Sequence, residues 1–176
     1  MNAVTTLPMT TLVLGGARSG KSAYAEGLLE GRASLYLATG QALDGEMAER
    51  IGHHRRRRGP GWSTLEEPLD LPDTLERVWR PDRPVLVDCL TMWISNLMHA
   101  GRDVERAAER LAEVLSQPGG PVVLVSNEIG LGLVPDTKLG RDFRDHQGRV
   151  NQSVAAICRK VVFVAAGLPL VLKDTN

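Results

Sequence analysis

Gly15-Gly16-Ala17-Arg18-Ser19-Gly20-Lys21-Ser22 fits the spacing Gly, four residues, Gly, Lys, then Ser or Thr that builds a phosphate-binding loop. Few features constrain a fold as tightly, because such a loop needs a buried strand before it and a helix after it. Both are present. Thr10-Thr11-Leu12-Val13-Leu14 is a short apolar, β-rich run, and Ala23 to Glu30 reads as a helix with Ala25, Leu28 and Leu29 on one face. The glycines let backbone N–H groups curl around an anion, and the positive end of the following helix adds to the attraction. Lys21 is placed to reach β- and γ-phosphates, and the Ser22 hydroxyl to ligate Mg²⁺.

The rest of the chain alternates apolar strands with helices. Ser34–Thr39 reads as a second strand, Asp44 to about Arg57 as a helix capped by Asp44, Trp62–Leu65 as a short strand and Leu71–Trp79 as a short helix. Val85-Leu86-Val87 is a strong strand closing on Asp88. Helices are expected over Met92–His99 and Val104–Leu115, a buried strand over Val122–Val125, a loop over Ser126–Lys138 and a helix over Leu139–Arg159. Val161–Ala166 is a further strand; Gly167-Leu168-Pro169 turns the chain into Leu170-Val171-Leu172, an antiparallel edge strand. This pattern predicts one α/β domain over residues 1–176, a mostly parallel sheet with helices on both faces.

With 176 residues the chain can bury the core of one domain. Its 21 basic and 21 acidic residues balance, which argues against a nucleic-acid partner. Cys89 and Cys158 lie far apart in apolar contexts, as reduced thiols of a cytoplasmic protein do. No run approaches the roughly 20 apolar residues of a membrane span, and no signal peptide is expected.

In parallel sheets ligands bind beyond the carboxyl ends of the strands. Those ends carry the phosphate loop, Thr39-Gly40-Gln41, Asp88, Ser126-Asn127-Glu128 and Ala165-Ala166-Gly167, the last offering no chemistry. Asp88 reads as a ligand of Mg²⁺ or its water, or else as a cap of the next helix. Asn127–Pro135 reads as a substrate-facing loop or a plain connector. Three readings of His53-His54-Arg55-Arg56-Arg57-Arg58 stand: a solvated cationic helix end, a nucleic-acid patch, or arginines on nucleotide phosphates beside a histidine doing covalent chemistry. In Phe143–Gln152, Phe143, Val150 and Val154 can face the core, while Arg144, Asp145, Arg149 and Asn151 face solvent, a cleft or a neighbouring subunit.

GGARSGKS, MAERIGHHRRRR, DCLTMWISNLM, SNEIGLGLVP and FRDHQGRVNQ, in that order, resemble the bifunctional adenosylcobinamide kinase / adenosylcobinamide-phosphate guanylyltransferase family of cobalamin biosynthesis, from about Thr11 to Leu172. The resemblance implies a RecA-like P-loop NTPase fold, assembled as a homotrimer. It implies phosphorylation of the aminopropanol hydroxyl of adenosylcobinamide with ATP or GTP. Transfer of GMP from GTP to adenosylcobinamide phosphate, through a guanylylated histidine, would follow. The second histidine of the family's pair matches His54, which takes the nucleophile role, with His53 as the alternative; Lys21 serves the kinase step. Nucleotide contacts carry over to Gly15, Gly16, Ala17, Arg18, Ser19, Gly20, Lys21, Ser22, Thr39, Gly40, Gln41, Arg55, Arg56, Arg57, Arg58, Glu66 and Asp88, and Mg²⁺ contacts to Ser22 and Asp88. Where some relatives carry Glu, this chain has Asp88, one methylene shorter.

Neutral imidazole is a competent nucleophile near pH 7. A covalent intermediate divides one hard displacement into two. The kinase step breaks the bond to the γ-phosphorus, whereas guanylylation attacks the α-phosphorus. Either the nucleotide sits differently in the two steps, or the helix bearing His54 moves, which Gly40, Gly45 and Gly52 permit. Two other readings are a P-loop small-molecule kinase of other specificity with structural histidines, and a nucleic-acid-binding module using Arg55–Arg58.

Overall fold

The computed structural model describes residues 7–40 and 61–175. Its strands are β1 (Thr10–Gly15), β2 (Ser34–Ala38), β3 (Trp62–Glu66), β4 (Val85–Asp88), β5 (Val122–Asn127), β6 (Lys160–Ala165) and β7 (Leu168–Asp174). The helices are α1 (Lys21–Gly27), α2 (Leu71–Val78), α3 (Leu90–His99), α4 (Val104–Ser116) and α5 (Lys138–Ile157). The strands form one sheet in the order β3-β2-β4-β5-β1-β6-β7, parallel throughout except for the antiparallel β6–β7 pair.

β1, β4 and β5 are continuous apolar runs because each is buried on both faces. One face is covered by α2, α3, α4 and α5 through Leu75, Trp93, Ile94, Leu111, Val150 and Val154. The other face carries α1 and the turn that follows it, whose Ala25 and Leu29 pack on Val13, Val125 and Val164. Strand alternation therefore assigns each residue a side: Leu12, Leu124 and Val87 face the first layer, and Val13, Val125 and Leu86 face α1.

Local chemistry sets the element ends. Asp103 caps α4 by accepting from the Arg106 N–H at 3.0 Å, and Thr137 caps α5 by accepting from the Gly140 N–H at 3.1 Å. Trp93 is fully buried, and its indole N–H is satisfied by the Leu69 carbonyl at 2.8 Å.

The last strand is longer than expected. Ala165 pairs with Leu168, so the turn is the two residues Ala166 and Gly167, not Gly167–Pro169. Both have positive φ, 50° and 79°, the geometry that closes a tight hairpin with the right twist. Pro169 is tolerated in β7 because that strand is at the sheet edge. Ser126 and Asn127 belong to β5 and not to the loop after it. None of the helices among the described residues is long and apolar enough to cross a membrane.

Candidate active site

The glycine-rich segment leaves β1 at Gly15 and returns as α1 at Lys21. Arg18 and Gly20 adopt left-handed φ values of 56° and 94°, which turn the chain through a tight curve. A Cβ at Gly15 would collide with the Ser19 side chain and the Val164 carbonyl, so the loop folds back over its own strand only with glycine there. The Ser19 N–H donates to the Gly16 carbonyl at 3.3 Å, and the Ser19 carbonyl accepts from the Gly167 N–H at 2.8 Å. The β6–β7 turn, which the sequence leaves without chemistry, thus braces the loop from outside.

No side chain caps α1, and no acidic residue lies in its first turn. The amides of that turn are left to an external acceptor, at the end of the helix where the backbone dipole is positive. Lys21 Nζ donates to the Gly16 carbonyl at 3.0 Å, so the ammonium folds over the mouth of the loop.

Strand alternation brings two further side chains, those of Asp88 and Asn127, to this end of the sheet on the α1 face. Asp88 ends β4, and its side chain lies on the α1 face, where Oδ2 accepts from the Tyr36 hydroxyl at 2.9 Å. It is not spent as a helix cap: α3 begins at Leu90 with Cys89 at the N-cap and no side-chain cap bond. Asn127 ends β5 directly beside Gly15, and Glu128 donates its N–H to the Gly15 carbonyl at 3.0 Å. β5 lies between β1 and β4, and Asp88 is level with Val125, two residues before Asn127 on the same face of β5.

Thr39 is fully buried and serves as a clasp. Its hydroxyl donates to the Cys89 carbonyl at 2.6 Å and accepts from the Cys89 N–H at 2.9 Å. Its N–H donates to the Asp88 carbonyl at 3.1 Å, and its carbonyl accepts from Asn96 Nδ2 at 2.7 Å. These bonds lock the end of β2 to the end of β4 and fix the backbone that aims Asp88; the hydroxyl is buried within the fold. Gly40 follows at the rim, half-buried. Glu66 is exposed at the end of β3, paired in register with Ala38 and separated from β4 by β2. Gln41, His53, His54, Arg55, Arg56, Arg57 and Arg58 lie outside the described residues, as does the helix expected from Asp44.

The Cys89 thiol is pushed up to about 11, first by burial and then by the Asp88 carboxylate, with Lys21 acting in the opposite sense. It is therefore neutral near pH 7 and is no nucleophile. Burial pushes the Cys158 thiol up to about 12. Both cysteines are free, as expected.

Sequence reasoning misses the polar layer behind the site. Gln147 and Asn151 of α5 are buried, although Asn151 is expected to face solvent, a cleft or a subunit. Gln147 Nε2 donates to Ser126 Oγ at 2.8 Å and to Asn151 Oδ1 at 3.0 Å, while Ser126 Oγ donates to Asn151 Oδ1 at 2.7 Å. Asn151 Nδ2 then donates to the Asn127 carbonyl at 3.0 Å. The spacing Phe143, Gln147, Val150, Asn151, Val154 is one helical stripe, the signal that could have placed the two amides inside.

The residues fit a nucleoside triphosphate with a divalent cation. Ser19 Oγ, inside the loop, and Asn127 Oδ1, beside it, are buried without a hydrogen-bond partner among the described residues, as groups open to a polar ligand are. Among the described residues no group of three or more His, Cys, Asp or Glu could hold a metal. A cation held by Ser22 and Asp88 therefore needs phosphate oxygens to complete its shell. A groove of about 360 Å³ between α4 and α5, lined in part by Val104, Ala108, His146 and Arg149, lies on the face of the sheet away from α1 and plays no part here.

The sequence matches the family described as cobinamide kinase / cobinamide phosphate guanyltransferase over residues 11–172. It is 48% identical over 169 residues to the bifunctional adenosylcobalamin biosynthesis protein CobP of Pseudomonas aeruginosa, covering 94% of this chain and 98% of that one. It is 39% identical over 181 residues to the bifunctional adenosylcobalamin biosynthesis protein CobU of Escherichia coli, covering 94% of this chain and all of that one. Among solved structures, a Pyrococcus horikoshii protein superposes with a TM-score of 0.57 at 9% identity, covering 97% of this chain and 88% of that one. The P4 protein of bacteriophage phi6, in complex with ADP, superposes with a TM-score of 0.52 at 17% identity, covering 96% and 56%. At such identities the superpositions establish the fold alone.

Proposed function

Because the chain belongs to the cobinamide kinase / cobinamide phosphate guanyltransferase family, we propose that it phosphorylates the aminopropanol hydroxyl of adenosylcobinamide with ATP or GTP and then transfers GMP from GTP to the resulting phosphate. The observation that carries this reading is the Gly15–Ser22 loop, closed over β1 with an uncapped helix behind it and Lys21 across its mouth. In the first step the alcohol oxygen forms a bond to the γ-phosphorus, the bond from that phosphorus to the β-bridging oxygen breaks, and the alcohol proton is lost. The backbone amides of the loop hold the β- and γ-phosphates, and Lys21 moves from the Gly16 carbonyl to the phosphate oxygens where charge develops. Ser22 and Asp88 would hold Mg²⁺, which supplies charge neutralisation at the phosphates.

In the second step the His54 imidazole attacks the α-phosphorus and pyrophosphate leaves. A phosphate oxygen of adenosylcobinamide phosphate then displaces the histidine, giving adenosylcobinamide-GDP. Arg55–Arg58 and Glu66 complete the nucleotide contacts. The protein acts in the cytoplasm as one domain over residues 1–176, in a homotrimer.

Incubation with adenosylcobinamide, Mg²⁺ and excess GTP tests the reading. The expected course is a phosphorylated cobinamide first, then its GMP adduct with release of one pyrophosphate per adduct. Accumulation of the phosphorylated alcohol alone would instead support a kinase with structural histidines.

A further inference from the structure

The sequence marks Ser126-Asn127-Glu128 as polar groups at a strand end and Asn127–Pro135 as a substrate-facing loop or a plain connector, neither of which gives Asn127 a step in the reaction. Its position is unusually well determined. Its backbone pairs with Gly15, its N–H donates to Thr91 Oγ1 at 2.8 Å, and its carbonyl accepts from Asn151 Nδ2 at 3.0 Å. Asn151 is itself held by Ser126 and Gln147 inside the core. Three elements besides β5, namely β1, α3 and α5, thus fix one residue.

The side chain has the opposite character. Alternation along β5 sends Leu124 and Ser126 towards α5, and Val125 and Asn127 towards α1. Asn127 therefore lies on the face that carries Lys21 and Ser22, beside Gly15 of the glycine-rich loop and two residues beyond Val125, the register partner of Asp88. There its Oδ1 is buried and has no donor among the described residues. An amide oxygen only accepts, and leaving one buried and unmatched forfeits its hydration without a replacement bond. A fold that spends three backbone anchors on this residue while leaving its side-chain oxygen orphaned is arranged for a donor that arrives with the ligand.

We propose that Asn127 Oδ1 is a contact of the phosphoryl-transfer step, accepting from an O–H group that sits at the γ-phosphate, and that Gln147 and Asn151 are positioning residues that hold it there. The O–H group is an ordered water of the bound triphosphate or the alcohol being phosphorylated. The proposal rests on the reading of Gly15–Ser22 as the nucleotide cradle. It also gives the polar stripe of α5 a purpose that exposure cannot, since Gln147 and Asn151 are out of solvent.

The test compares full-length wild type with Asn127→Ala by equilibrium binding of GDP and of a β,γ-imido GTP analogue, each with Mg²⁺, and by KM for adenosylcobinamide in the kinase step. If the donor is the ordered water, the variant loses about tenfold in affinity for the triphosphate analogue, as one hydrogen bond is worth, and keeps its GDP affinity. If the donor is the alcohol, both nucleotide affinities hold and kcat/KM for adenosylcobinamide falls by a similar factor. Either result supports the assignment. Unchanged values in all three measurements overturn it, because a merely structural asparagine would alter melting temperature without altering these ratios. Should the alanine variant melt early, Asn127→Leu, which fills the space without polar atoms, must give the same pattern. Failure of the cradle reading looks different: wild type would bind neither nucleotide with any dependence on Lys21, and this proposal would fall with it.

Discussion

Replacing Lys21 by alanine is expected to lower kcat of the kinase step by about 10²–10³-fold, the usual cost of removing one preorganised group that stabilises transition-state charge. The free protein holds Nζ at 3.0 Å from the Gly16 carbonyl, across the mouth of the loop and one short movement from any phosphate seated there. The substitution leaves the fold alone, because Lys21 opens α1 at a half-buried position and its aliphatic stem fills no core. Alanine is also the better helix former. Lys21→Arg is expected to recover little, since a planar, forked guanidinium cannot replace a compact ammonium in so tight a curve. Steady-state assays with saturating adenosylcobinamide, alongside thermal melts, separate these effects. A variant within threefold of wild type would remove Lys21 from the chemistry.

Replacing His54 by alanine is expected to divide the two activities. Guanylyl transfer should fall by about 10⁴-fold or more, since losing the nucleophile of a covalent mechanism leaves only what binding and charge stabilisation contribute. Phosphorylation of the cobinamide alcohol should continue near the wild-type rate, because that displacement draws on the loop, Lys21 and the cation and needs no protein nucleophile. Adenosylcobinamide phosphate would then accumulate. The covalent step predicts its own signature: wild type incubated with α-labelled GTP acquires a label stable to alkali and labile to acid, and His54→Ala does not. Equal labelling of the variant would assign the nucleophile elsewhere, and equal loss of both activities would make His54 a structural residue.

What could be read in the sequence is what the chain decides locally. The phosphate loop is eight consecutive residues whose glycines, lysine and flanking periodicities all lie within about one element of each other, so motif and context support each other without tertiary information. Asp88 was equally visible as the polar stop of an apolar strand, and only the N-cap at Cys89 removes the capping alternative. The missed features depend on partners distant in sequence. Thr39 is legible as a polar residue at a strand end, but its hydroxyl's bond to the Cys89 backbone, 50 residues away, is not. Asn151 reads as facing solvent, a cleft or a subunit, and Gln147 has no assigned side, because the burial of both amides depends on Ser126 on another element. Ala166 and Gly167 carry no reactive group, so nothing in their chemistry announces that their hairpin supports the loop through Ser19.

The triphosphate is expected to seat in the curve of Gly15–Ser22, beneath the first turn of α1, with Asp88 and Asn127 on its γ side. Diffraction from crystals grown with Mg²⁺ and a β,γ-imido GTP analogue tests it most directly. The prediction is β- and γ-phosphate density inside the loop, with Lys21 Nζ released from Gly16 and about 2.7–3.0 Å from a phosphate oxygen. Phosphates bound elsewhere, with Lys21 still on the Gly16 carbonyl, would contradict it.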